Sequence, residues 1–82
     1  MSEIGRLRAL TARELIGALR RDGFALVRQK GSHRHFRHPD GRRATVSFLH
    51  ASDTFPTGTL RSMIEIQAEW TEFDLQRLGL LP

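Results

Sequence analysis

The sequence contains no cysteine, so neither disulfide bridges nor thiolate metal sites are open to it. It also lacks long apolar runs. Each ends after a few residues, far short of the roughly 20 that a membrane-spanning helix needs. The opening Met1-Ser2-Glu3-Ile4-Gly5-Arg6 has no apolar stretch leading to a small-residue cleavage site. The expectation is therefore a protein without a secretory signal or membrane segment, working in the cytoplasm. Repeats and low-complexity segments are missing. So are paired carboxylates, a Ser-His-Asp set and a glycine-rich phosphate loop, which leaves those routes to chemistry without support.

What remains is a globular composition, 39% hydrophobic and 27% charged over 82 residues. That length predicts a single domain over residues 1–82 with a small core, burying roughly 60–65% of its unfolded surface. The net charge is +4 and unevenly spread. Between Arg20 and Arg43 eight basic residues (Arg20, Arg21, Arg28, Lys30, Arg34, Arg37, Arg42, Arg43) stand against Asp22 and Asp40, a balance of +6 that leaves −2 for the rest. A basic middle in an otherwise mildly acidic sequence is the footprint of a polyanion contact, or simply a solvated charged surface.

The first ten residues carry no clear helix-start signal and read as a loose arm or an extra turn of helix. Thr11-Ala12-Arg13-Glu14 has capping-box spacing, and Leu15, Ile16 and Leu19 follow on one helical face, with Leu10 able to extend it. Arg20, Arg21 and Asp22 finish this helix, and Gly23 supplies a left-handed stop. The period then changes to alternation. Phe24 to Lys30 reads as a strand, Gly31-Ser32 as a turn and His33 to His38 as a second strand. Pro39-Asp40-Gly41 forms a turn and Arg43 to Leu49 a third strand.

Strand parity puts Phe36, Ala44, Val46 and Phe48 on one face, and His33, His35, Arg37, Thr45 and Ser47 on the other. Arg34 and His38 share the parity of Phe36 and should lie near strand ends where they reach water. After a polar loop, His50 to Pro56, a second helix capped by Thr57 or Thr59 carries Leu60, Met63, Ile64 and Gln67 inward and closes at Trp70. Gly58-Thr59 could also receive a phosphate, but capping is the expected role. Thr71 restarts a short added helix within 71–82, bearing Phe73, Leu75 and Leu78. The fold class is α+β, in α-β-β-β-α order plus a short C-terminal helix. The three-stranded antiparallel sheet has its helices on one face, the arrangement of a double-stranded-RNA-binding domain.

The segment Lys30-Gly31-Ser32-His33-Arg34-His35-Phe36 concentrates the chemistry. Glycine permits a tight turn, serine offers a hydroxyl and an amide, and histidine can exchange a proton near neutral pH. Arg28, Lys30, Arg34 and Arg37 can hold a phosphate and offset charge on its oxygens. On composition alone, His33 reads sooner as a surface histidine among basic residues than as a catalyst. His35 reads as a supporting contact or an exposed residue sooner than as a second catalyst. A metal bound by His33, His35 and His38 is not expected, because His38 has the wrong parity, the arginines repel cations and no carboxylate completes the set.

Several of these residues also carry a resemblance. Gly23-Phe24, Lys30-Gly31-Ser32-His33, Phe36, His38-Pro39-Asp40 and the run from Pro56-Thr57-Gly58-Thr59-Leu60-Arg61 to Ser62-Met63-Ile64 resemble the HicA toxins. These are the small partners of type II HicA–HicB toxin–antitoxin pairs. The resemblance runs from Thr11 to Leu78. It implies a double-stranded-RNA-binding-domain-like fold, cleavage of messenger RNA, and neutralisation by a HicB antitoxin that covers the active site. It places the catalytic role on His33, with RNA contacts around it from Arg28, Lys30, Gly31, Ser32, Arg34, His35 and Arg37.

Where many members have a second His or Gln shortly after that histidine, this chain has Arg34 and His35. The tail beyond Trp70 is longer than in the shortest members and reads as a packing helix. The implied mechanism needs no metal or other cofactor: neutral His33 takes the proton of a ribose 2′-hydroxyl. The leaving oxygen also needs a proton, for which water, His35 or an arginine-bound phosphate are the options. A non-catalytic RNA-binding domain and a basic module that docks an acidic protein are the alternatives. A monomer is expected in isolation, since no apolar stripe is left over once the core is assigned.

Overall fold

The computed structural model describes Leu7 and residues 9–81. The loose arm expected over the first ten residues thus falls largely outside the described residues. Helix α1, Ala12–Asp22, begins as its capping box requires. The Thr11 hydroxyl accepts from the Glu14 amide at 3.1 Å, and the Glu14 carboxylate accepts from the Thr11 amide at 3.0 Å. Two free donors are satisfied reciprocally, which stabilises a helix start by about 1 kcal/mol. Leu10 does not extend the helix, yet it is fully buried just ahead of it. At the other end Gly23 has φ 111°, and a β-carbon there would come within 2.9 Å of His38 Nε2. Only glycine meets both conditions.

Three strands follow: β1 Ala25–Lys30, β2 His33–Arg37 and β3 Arg43–Ser47, antiparallel in the order β1-β2-β3. Each is a little shorter than its sequence pattern predicted. Phe36, Ala44 and Val46 are no more than 3% exposed and join α1 in one core. The core parity therefore holds. Burying a side chain the size of Phe36 contributes about 1.5–3 kcal/mol.

The two polar residues of that parity do not behave as expected. Arg34 is half-buried instead of reaching water at a strand end. Its guanidinium lies over the Phe48 ring, 4.0 Å from the centroid, and its Nη1 is buried without a hydrogen-bond partner. His38 is also half-buried: its Nε2 donates to the Asp22 carbonyl at 2.8 Å, its Nδ1 accepts from the Asp40 amide, and its ring meets Phe24 edge-on. A carbonyl can only accept, so the proton sits on Nε2.

The second helical region also differs from its sequence reading. Helix α2, Thr57–Ser62, has Pro56 at its cap position, and no side chain bonds there, so neither Thr57 nor Thr59 caps it. The first turn is exposed and water can serve its amides. The helix then widens into a π-helical segment, Met63–Gln67, in which the Ala68 amide reaches the Met63 carbonyl at 2.9 Å. Glu69 leaves it in the left-handed region, φ 55°. Leu60, Met63 and Ile64 are buried as the inner stripe. Gln67 faces β3, where its Oε1 accepts the Thr45 amide at 2.8 Å. That bond satisfies an outward-pointing donor on the edge strand.

Helix α3, Glu72–Arg77, carries its own capping box between Thr71 and Asp74. Leu75 and Leu78 are buried, but Phe73 is 71% exposed. At about 100° per residue, a side chain two positions before Leu75 points away from the core.

Asp22 fastens this tail to the domain. Its side chain is 4% exposed. It accepts from Trp70 Nε1 at 2.8 Å, from Arg42 Nη1 at 3.0 Å and from Arg77 Nη2. Arg21 adds a bond to the Leu78 carbonyl at 2.7 Å. No helix among the described residues is long and apolar enough to cross a membrane.

Candidate functional site

The sheet has one face against the core and one that the helices leave open. What reaches the open face is decided by an irregularity in β1. Strict alternation would put Phe24, Leu26, Arg28 and Lys30 on the same side. The pairing with β2 instead skips a residue between Leu26 and Arg28: Leu26 stands opposite Phe36, but Arg28 stands opposite His35 and Lys30 opposite His33. Val27 is the extra residue of a β-bulge, which reverses the parity after it. β1 stays exposed along its length, Leu26 at 39% and Val27 at 61%, but the bulge brings its cations onto the face that carries His33 and His35. Apolar residues at 24 and 26 followed by cations at 28 and 30 were the sequence signal for this.

The β2–β3 register completes the face, pairing His33 with Ser47, His35 with Thr45 and Arg37 with Arg43. No carboxylate belongs to this side of any strand. Arg37 and Arg43 are exposed and directly opposite, an arrangement that repels unless an anion lies between them. Arg43 was missing from the sequence-derived set, although its parity with Thr45 identifies it. A shallow hollow here is lined by Val27, Arg28, His35, Arg37, Arg43 and Thr45.

Only half of the basic stretch serves this surface. Arg28, Lys30, Arg37 and Arg43 are exposed and form no ion pair among the described residues. The other four are engaged elsewhere. Arg20 lies over Phe36, Arg21 holds the tail, and Arg34 sits over Phe48 on the opposite face. Arg42 pairs with Asp22 and Asp40 and donates to the Ala68 carbonyl. Arg34, expected near His33 as an RNA contact, is therefore not brought to this face.

Gly31 has φ 59° in the turn that leads to His33. Ser32 is half-buried in that turn; its hydroxyl lies 3.5 Å from that of Ser47, and its carbonyl accepts the Phe48 amide. His33 stands exposed at the head of β2, and its ring makes no hydrogen bond to another described residue. It is not tucked beneath the helices. His35, two residues along the same face, is half-buried, and its Nδ1 is 3.0 Å from the Thr45 hydroxyl. Among the described residues no three His, Asp or Glu side chains gather as metal ligands.

The chain is thus an α+β domain with a double-stranded-RNA-binding-domain-like fold, whose free sheet face carries two histidines and four cations without an ion-pair partner among the described residues. A family model described as the HicA toxin of bacterial toxin–antitoxin matches residues 12–70. That is well over half of the chain, which belongs to this family and is a toxin of the toxin–antitoxin kind. The match runs from the first residue of α1 to Trp70, so α3 lies beyond it. No curated protein matches the chain.

Proposed function

We propose that this toxin cleaves messenger RNA on the open sheet face, with His33 as the catalytic base and without a metal. The observation that carries this is the exposure of His33 at the head of β2, level with Lys30 and on the side that holds Arg28, Arg37 and Arg43. A ribose-phosphate can approach the ring there, with guanidinium and ammonium groups close enough to hold its non-bridging oxygens. Neutral His33 takes the proton of the 2′-hydroxyl. The 2′-oxygen attacks the adjacent phosphorus, and the products are a 2′,3′-cyclic phosphate and a 5′-hydroxyl. The cations offset the charge that builds on the phosphorus oxygens during attack.

Neutralisation follows from the same surface. A HicB-type antitoxin with an acidic surface would cover the cations and His33 together, since complementary charge directs such docking. The test uses purified His33→Ala and RNA in the presence of chelator. We expect wild-type cleavage to survive chelation, and the variant to lose at least about a hundredfold in rate. Undiminished cutting by His33→Ala would remove that residue from the mechanism, and wild-type activity that disappears with chelator would require a metal.

A further inference from the structure

Strand scission needs two proton transfers, and His33 performs one. Resting on the RNA-cleaving reading above, we infer that His35 is a second catalytic residue that protonates the leaving 5′-oxygen from Nε2, and that Thr45 and Gln67 position it. Its two ring nitrogens have different surroundings. Nδ1 is engaged by the Thr45 hydroxyl at 3.0 Å, which leaves Nε2 for a ligand. A threonine hydroxyl both donates and accepts, so it holds the ring in either protonation state. Thr45 is held in turn: its backbone amide donates to Gln67 Oε1 at 2.8 Å, from the π-helical turn beside β3. This also explains why a polar side chain occupies the otherwise apolar inner stripe.

The spacing fits the chemistry. Residues two apart on one strand face are separated by about 7 Å. In-line displacement puts the attacking and leaving oxygens on opposite sides of phosphorus, so two imidazoles at that separation can each reach one of them at about 3 Å. Arg28 stands opposite His35 and Lys30 opposite His33, so these two cations flank the space between the rings and can hold the phosphate there. The hollow on the far side of His35, with Arg37 and Arg43 on its walls, can take an adjoining phosphate. The step balances. The 2′-hydroxyl proton passes to His33, the 2′-oxygen–phosphorus bond forms, the phosphorus–5′-oxygen bond breaks, and the proton on His35 Nε2 goes to the departing oxygen. His33 ends protonated and His35 neutral, and exchange with water restores both.

The experiment compares an oligoribonucleotide cut by the wild-type protein with the same oligonucleotide carrying sulfur in place of the bridging 5′-oxygen at that linkage. A thiolate leaves without a proton. His35→Ala should cleave the oxygen substrate about 10²–10⁴-fold more slowly, yet cleave the sulfur substrate within about tenfold of wild type. His33→Ala should be slow on both. Thr45→Val keeps the side-chain shape and should lose about tenfold on the oxygen substrate only, as one lost hydrogen bond implies; Thr45→Ser should restore it, and Gln67→Met should follow Thr45→Val. The proposal is overturned if His35→Ala cuts ordinary RNA at the wild-type rate or is slowed equally on both substrates. Full activity of His33→Ala would instead overturn the role given to His33, and the sulfur-to-oxygen ratio of His35→Ala would still decide the role of His35.

Discussion

Replacing Asp22 with alanine removes the carboxylate on which donors from three parts of the chain converge: Trp70 Nε1, Arg42 and Arg77. The side chain is 4% exposed, so water does not readily take its place. Removing one member of a buried charge network costs about 3–5 kcal/mol. A domain of this size has about 4–12 kcal/mol of total stability at typical values per residue. The midpoint of thermal unfolding should therefore fall by at least about 12 °C. Trp70 is the single tryptophan of the chain, so its fluorescence reports this site while circular dichroism follows the whole fold.

The effect should also depend on pH. Burial by itself favours the neutral carboxyl, but hydrogen bonds from Arg77 and Trp70 and the charges of Arg42 and Arg77 prevail and hold Asp22 below its ordinary value of 3.8. A carboxyl depressed in the folded state contributes stability above its unfolded value and loses it as pH falls through its folded value. The gap between wild type and Asp22→Ala should be full at neutral pH and close only below about pH 4. A loss under about 1 kcal/mol at neutral pH, or a gap that widens in acid, would refute the reasoning.

Gly23→Ala forces a side chain onto a φ of 111° and to 2.9 Å from His38 Nε2. We expect a loss of at least about 1–2 kcal/mol in urea unfolding, with no loss if the turn relaxes freely. Arg28→Gln and Lys30→Gln lie on the open face but outside the proton transfers. Each should weaken RNA binding and reduce the slope of log affinity against log salt by about 0.7, as one phosphate contact to a single strand implies. Titrations at several salt concentrations read this directly, and unchanged slopes would remove those residues from the RNA path.

Much of the fold was legible in the sequence because its signals are local. The Thr11-Glu14 box, the Gly23 stop and the turns at Gly31-Ser32 and Pro39-Asp40-Gly41 each act within a few residues, and each stands where the pattern put it. Parity also separated Phe36, Ala44 and Val46 from His33, His35 and Arg37, since alternation is a property of any strand. The misreadings arose where a distant partner decides. Arg34 looked solvent-bound until Phe48 supplied an aromatic surface for it. Thr57 and Thr59 looked like caps, but the exposed first turn of α2 makes no side-chain bond there.

By itself the sequence determined the element order, the two sides of the sheet and the location of His33, because backbone preferences and side-chain periodicity are fixed along the chain. Tertiary structure alone decided which cations remain for a ligand. Arg42 and Arg21 are taken up by Asp22, Asp40 and carbonyls brought from elsewhere in the fold, while the bulge at Val27 turns Arg28 and Lys30 outward. Tertiary structure also decided what holds His35, since Thr45 reaches it only when β3 pairs with β2, and Gln67 reaches Thr45 only when the π-helical turn packs against β3. Charge counted along a chain is a sum, whereas a binding surface depends on which charges are left without internal partners.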